Sequence, residues 1–158
     1  AAMAKCLGHQ GPSKNETHFD AWQASAGLGL QFTGNGSLWI GRCNPDFRVP
    51  GQKKVLEITQ SMCFVNRRVE RTPEEYGLGK IKHCRSKGWQ CLVVFKKDHR
   101  SRIPAMLLYV IRSFSLAGLH WSGVWHFDRF LLYDESSGDL RSSTFTALRP
   151  SLMLRTVS

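Results

Sequence analysis

The sequence has no long apolar run, no paired-cysteine spacing and few acids, and each shortage argues against a class of protein. The longest apolar candidate, Ala105 to Ile111, stops at Arg112 and falls far short of the roughly 20 residues that cross a bilayer. The opening Ala1-Ala2-Met3-Ala4-Lys5 carries no apolar core of a secretion signal. The expectation is a chain that is not secreted, has no membrane partner, and sits in the cytoplasm or with the nucleoid. Cys6, Cys43, Cys63, Cys84 and Cys91 are odd in number and nowhere spaced CxxC, which argues against a disulfide framework or a zinc knuckle and fits a reducing compartment. Acids are the scarcest charge: 12 Asp and Glu against 22 Lys and Arg leave a net +10. That excess is the electrostatic footprint of a nucleic-acid partner; a generally basic soluble protein or a binder of anionic membrane is the blander reading.

What is present suits an ordinary globular domain. Hydrophobic residues make up 42% and charged residues 22% of 158 positions, enough for one chain to bury its own core. Ser13-Lys14-Asn15-Glu16 has capping-box spacing, and Phe19, Trp22 and Ala26 follow at helical intervals, predicting a helix that ends near Gly27 and Gly29. Leu30 to Phe32 and Ser37 to Ile40, separated by Thr33-Gly34-Asn35-Gly36, predict a hairpin with an Asn-Gly turn. A second hairpin is expected from Asn44 to Val49 and Lys54 to Thr59 across Pro50-Gly51-Gln52-Lys53. Thr72-Pro73-Glu74-Glu75 starts a second helix that Gly88 ends, and the apolar run Trp89 to Phe95 predicts a strand buried on both faces. Pro104 to Leu116 reads as helix or long strand, and Val124 to Tyr133 and Ser143 to Leu148 as strands around the turn at Glu135 to Asp139. The fold class expected is α/β, a mixed central sheet flanked by helices.

The second hairpin carries the chemistry. If Gly51-Gln52 is the turn, Val49 faces Lys54, Phe47 faces Leu56 and Asp46 faces Glu57, with Cβ atoms about 5 Å apart on one side of the sheet. Phe47, Leu56 and Ile58 then form the apolar face. Opposed carboxylates destabilise a hairpin unless something neutralises them, and a divalent cation does so. Alternatively Arg48 neutralises the pair, one acid is exposed at a strand end, or a one-residue slip puts the two on opposite faces.

Asn44-Pro45-Asp46-Phe47, followed eleven residues after Asp46 by Glu57 in Val55-Leu56-Glu57-Ile58, resembles the motif of the PD-(D/E)XK nucleases. The nearer likeness is to the branch holding the very-short-patch repair endonucleases and certain homing endonucleases. That branch is similar in its ordered set of elements across residues 13 to 100: a helix with a Glu (Glu16), a Gly-rich hairpin, the NPDF strand, a strand with Glu, a helix, and a Gly-aromatic step into a Val-rich strand. The resemblance implies a restriction-endonuclease-like sheet and a metal-dependent DNA endonuclease that hydrolyses phosphodiester bonds, with a homing endonuclease as the first expectation. It implies Mg²⁺, with Mn²⁺ as substitute, held by Asp46, Glu57 and Glu16, double-stranded DNA as partner, and a homodimer where both strands are cut. Residues 1–12 are then a tail and 13–158 one nuclease domain, with 13–100 its core and 101–158 an extension for DNA recognition or dimerisation. A mismatch- or lesion-nicking repair enzyme on the same fold is the alternative; a catalytically silent DNA-binding domain is the rival from another class.

Two positions depart from the pattern. Thr59 stands where the Lys of ExK is expected, and Cys63 and Phe64 stand where the branch usually has a His. Gln60, Lys80, His83 and His99 are the candidate replacements. Glu16 is either a third metal acid or the capping partner of Ser13. Arg67, Arg68, Arg71, Lys80, Lys96, Lys97, Arg100 and Arg102 are candidate contacts to the DNA backbone, and His83 is equally readable as part of a solvated helix face.

Overall fold

The computed structural model describes residues 11–60, 71–97 and 102–143. Three helices and seven strands alternate along it: α1 (Lys14–Ser25), β1 (Gln31–Phe32), β2 (Phe47–Arg48), β3 (Lys54–Gln60), α2 (Pro73–Ser86), β4 (Gln90–Lys96), α3 (Ala105–Ser115), β5 (Gly123–His126), β6 (Arg129–Asp134) and β7 (Asp139–Ser143). The strands form one sheet in sequence order. β3, β4 and β5 are parallel; every other neighbouring pair is antiparallel. The α/β class with a mixed, helix-flanked sheet is therefore what the chain adopts.

Strand alternation sorts the interior into two cores. Phe47, Leu56, Ile58, Leu92 and Val94 face one way, covered by Phe19 of α1 and by Leu107, Val110, Ile111 and Phe114 of α3. Val55, Val93 and Val124 face the other, covered by Ile81 and Cys84 of α2. Both parallel crossovers advance the same way along the sheet, yet α2 lies on one face and α3 on the other. The two connections cannot have the same hand, a departure from the usual right-handed rule. Its consequence is local: β3 and β4, at the centre of the sheet, are buried on both sides, as their burial along nearly every position shows.

Caps and turns explain the boundaries. Ser13 and Glu16 make a reciprocal capping box on α1, and Thr72 caps α2 through Glu75 with Pro73 in its first turn. Residues 104 to 116 resolve as a helix rather than a strand, with its buried residues at helical spacing.

Three expectations are corrected. The hairpin from Leu30–Phe32 to Ser37–Ile40 does not form, because β1 pairs with β2 instead, Phe32 facing Phe47. The side chains of the intervening loop drive this: Asn44 Nδ2 donates to Thr33 O and Leu38 O, each at 2.7 Å, and Thr33 Oγ1 donates to Pro45 O at 2.7 Å. Phe32 thereby meets Phe47 edge to face in an aromatic cluster with Phe19. The span Val124 to Tyr133 is two strands, split at a two-residue turn, Phe127-Asp128. The next strand begins at Asp139, earlier than expected, and residues 144 to 148 lie outside the described residues. Residues 105 to 143 continue the same sheet, with β5 hydrogen-bonded beside β4. No described helix is long and apolar enough to cross a membrane.

Candidate active site

The β2–β3 register is the one the Pro50–Lys53 turn predicts: Phe47 pairs with Leu56 and Arg48 with Val55, with Val49 N–H donating to Lys54 O at 3.0 Å. One step further along, Asp46 and Glu57 share a side of the sheet. Glu57 is buried, only 7% exposed, beneath α2. Asp46 Oδ2 accepts from the Ile58 N–H at 2.7 Å, which ties the carboxyl to the edge of β3 where β2 has ended.

Glu16 completes an acidic cluster. Its Oε2 accepts from Ser13 N–H at 2.5 Å, and its side chain also meets the Asp46 carboxyl. Cap and acid neighbour are one residue, where the sequence reading set them as exclusive roles; a carboxylate has two oxygens with lone pairs to share. A Cβ on Gly34 would lie 3.0 Å from Glu16 Oε1 and 2.7 Å from the Phe32 ring, so the loop passes this close only because position 34 has no side chain. Burial, the nearby Glu57 charge and the contact with Glu16 together hold the Asp46 carboxyl well above the usual carboxylate range, against the opposing Ile58 hydrogen bond.

A cation from α2 faces the cluster. Lys80 Nζ lies 3.2 Å from Glu57 Oε1 and 5.6 Å from the centre of the Tyr76 ring. Burial alone would lower the Lys80 ammonium, but the Glu57 carboxylate and the neighbouring Tyr76 and Cys43 outweigh it and raise its pKa. The Cys43 thiol donates to Glu57 Oε1 at 3.2 Å. Hydrogen bonding to Cys84, burial and the Glu57 charge keep that thiol protonated, with its pKa far above the ordinary value. Beside Lys80, a cleft of about 260 Å³ is lined by Arg42, Cys43, Arg71, Tyr76, Gly79 and His83.

The remaining candidates are dispersed. His83 lines the cleft, but its Nε2 lies 2.7 Å from Ile40 O, committing that nitrogen to the main chain. Gln60 ends β3, and strand alternation puts it on the face opposite Glu57. Lys96 is buried at the end of β4, its Nζ 3.2 Å from His18 Nδ1, so it is a packed residue where an exposed DNA contact was expected. Arg71, Lys97 and Arg102 are exposed. Arg67, Arg68, His99 and Arg100, with Cys63 and Phe64, lie outside the described residues.

Arg42, Cys43 and Tyr76 were not singled out from sequence as site residues. Arg42 and Cys43 directly precede the Asn44-Pro45-Asp46 motif, and Tyr76 lies one helical turn before Lys80, so adjacency was the available signal. Among the described residues no group of three or more His, Cys, Asp and Glu side chains forms a ready-made metal cage. Comparison with protein-family models, with curated proteins and with solved structures finds no match to this chain.

Proposed function

We propose that this chain is a metal-dependent endonuclease that hydrolyses DNA phosphodiester bonds at the Asp46–Glu57 pair. The observation that carries the reading is an acidic cluster of Asp46, Glu57 and Glu16 against one half-buried lysine, Lys80, beside a basic cleft. Three carboxyls crowd where one ammonium answers them, and burial, then the Glu57 charge and the Glu16 contact, raise the Asp46 pKa. Mg²⁺, or Mn²⁺ in its place, fits such a donor set: it is commonly held by one or two carboxylates, with water and phosphate oxygens completing its shell. Asp46 and Glu57 are the residues that would hold it, and Glu16 stands against Asp46 as an outer support. When bound, the cation neutralises charge on the phosphate and lowers the pKa of water.

The chain's own residues supply the rest. Lys80 keeps its proton at neutral pH, so it acts as a fixed positive donor at the scissile phosphate and not as a base. It thereby fills the electrostatic place of the lysine that Thr59 vacates, reached from a helix instead of the strand. Arg42 and Arg71 line the adjoining cleft, where a phosphate flanking the scissile one would be held by charge and hydrogen bonding. Cys43, a neutral donor to Glu57, restrains that carboxylate without competing for its charge. The net +10 of the chain suits the duplex backbone, whose neutralisation releases counterions.

Incubation of supercoiled plasmid with Mg²⁺ or Mn²⁺ tests the reading. Nicked or linear product is expected from the wild type, lost on EDTA addition and in both Asp46→Ala and Glu57→Ala. Linear product favours a homing-type enzyme acting as a dimer, and nicked product alone favours a repair enzyme. If the folded wild type binds duplex yet cuts with neither metal, the endonuclease reading fails and the chain is a silent DNA-binding domain.

A further inference from the structure

A second positively charged cleft lies at the opposite end of the parallel strands. It occupies about 590 Å³ between three turns: the β2–β3 turn with Gly51, Gln52, Lys53 and Lys54, the α2–β4 turn with Arg85, Gly88 and Gln90, and the loop after α3 with Ala117, Gly118 and His120. None of these lining residues is acidic. Lys54 is three residues before Glu57, about 10 Å along β3, and alternation turns it to the other face.

Lys54 is the unusual member. It is 1% exposed, and no carboxylate pairs with it among the described residues. Its Nζ donates to Phe114 O and Leu116 O, both at 2.8 Å, and lies 5.7 Å from the centre of the Phe114 ring. These contacts cap the end of α3, and Gln52 Nε2 adds a third by donating to Ser115 O at 2.9 Å. The helix end offers roughly half a negative charge, which answers the ammonium only in part. Two of its three hydrogens are used, and the third has no acceptor among the described residues. A buried ammonium without a counter-ion is an expensive arrangement, and it is relieved by an anion brought from outside. The surrounding charges agree: Lys53 and His120 are exposed with no ion-pair partner among the described residues, and Arg85 alone has one, Glu135 Oε1 at 2.6 Å. Burial lowers the Lys54 ammonium to about 8, as expected of a cation whose counter-charge is missing.

We infer that this cleft is a binding site for a phosphate group, with Lys54 at its base and Lys53, Arg85 and His120 at its rim. The chemistry it reads is a tetrahedral oxyanion, carried either by a small phosphate or by a nucleic-acid backbone. The site is separate from the Asp46–Glu57 pair and does not depend on the chain being a nuclease.

Titration of the intact chain with inorganic phosphate at constant ionic strength, followed by amide NMR, tests it. Saturable shifts are expected at Gly51, Gly88 and Gly118. The Lys53→Glu, His120→Glu double variant changes only rim positions and is expected to weaken binding at least about tenfold, while its spectrum elsewhere matches the wild type. Lys54→Met, which keeps the length of the stem, is expected to weaken it likewise. A short DNA duplex added to the phosphate-loaded protein then separates the sources. Displacement of phosphate assigns the cleft to a nucleic-acid phosphodiester, and retention assigns it to a small phosphate. Shifts that never saturate, shifts confined to the Arg42–Lys80 cleft, or an unchanged affinity in the double variant would each overturn the proposal.

Discussion

The start and the middle of β3 bury charge of opposite sign, and neither position balances it. At Glu57 the strand faces α2, and Lys80 pairs with Glu57 while the Asp46 carboxyl nearby meets Glu16 and the Ile58 N–H. At Lys54 the strand faces α3, and one ammonium meets only main-chain oxygens. A protein interior is an unfavourable place for unpaired charge, so such sites are usually paired, neutralised or ligated. The acidic site has part of its answer within the chain, because Lys80 reaches Glu57. The basic site has only a helix terminus. The strand that crosses from one to the other does so because α2 and α3 cover opposite faces of the sheet.

The largest effect on stability is expected at Lys54. Lys54→Ala is expected to lower stability by about 3 kcal/mol, through the cavity left by the stem and the two carbonyls left without donors. Lys54→Met restores the stem and removes the charge, and its stability at neutral pH is expected within about 1 kcal/mol of wild type, since relief of desolvation offsets the lost hydrogen bonds. The pH dependence identifies the charge itself. The folded pKa of about 8 lies below the ordinary 10.5, so the unfolded chain holds this proton more tightly. Wild-type stability relative to Lys54→Met is therefore lowest below pH 8 and rises toward pH 10.5. A flat difference between the two in urea titrations across that window would mean the ammonium is compensated after all.

At Asp46 the pH dependence has the opposite sign. Its folded pKa is raised, so the folded chain holds this proton more tightly than the unfolded one, and the ionised carboxyl works against folding at neutral pH. Asp46→Asn in EDTA is expected to raise Tm by about 2–4 °C, the effect of roughly 1 kcal/mol in a domain of this size. The gain should shrink as pH falls toward the ordinary carboxylate range, where the wild-type carboxyl is protonated in both states. The same variant is expected to lose plasmid cleavage. A lower Tm at neutral pH would show that the Ile58 hydrogen bond outweighs the repulsion.

The acidic site was legible in the sequence and the basic site was not. A Pro-Gly turn between two β-rich runs sets a register, and the register alone brings Asp46 to Glu57. The capping box showed Glu16 at the start of a helix, but not that the same carboxyl would reach Asp46, which depends on α1 packing against the hairpin. Lys54 looks like one more solvated lysine beside Lys53, because its burial arises from α3, sixty residues away, ending above it. That α3 lies on the face opposite α2 is also unreadable locally, since the usual handedness of parallel crossovers puts both on one side. The β1 partner was misassigned for a similar reason: an Asn-Gly turn signals a hairpin, whereas the side chains of Asn44 and Thr33 hold that loop for β2.

A third charged cluster supplies the control. Glu74 on α2 accepts from Arg129 Nη2 at 2.9 Å and lies 3.2 Å from His126 Nδ1, at the outer end of β5 and β6. Here the charges match and solvent reaches them: the Arg129 side chain is 57% exposed. Burial is the largest single influence and raises the Glu74 pKa, but its own backbone hydrogen bond, Arg129 and His126 together outweigh it and lower the pKa, so its contribution is present at neutral pH and lost on acidification through the lowered pKa. Exposed pairs are worth little, and Arg129→Ala is expected to cost about 0.5 kcal/mol, measured as a small fall in the urea midpoint. Raising the salt to about 0.5 M should erase that difference, because screening reaches exposed charges within several ångströms. The Lys54 and Asp46 effects should persist in the same salt, since their charges are buried. If all three differences vanish together, the Asp46–Glu57 and Lys54 sites are solvated like the surface pair, and the contrast between them has no energetic content.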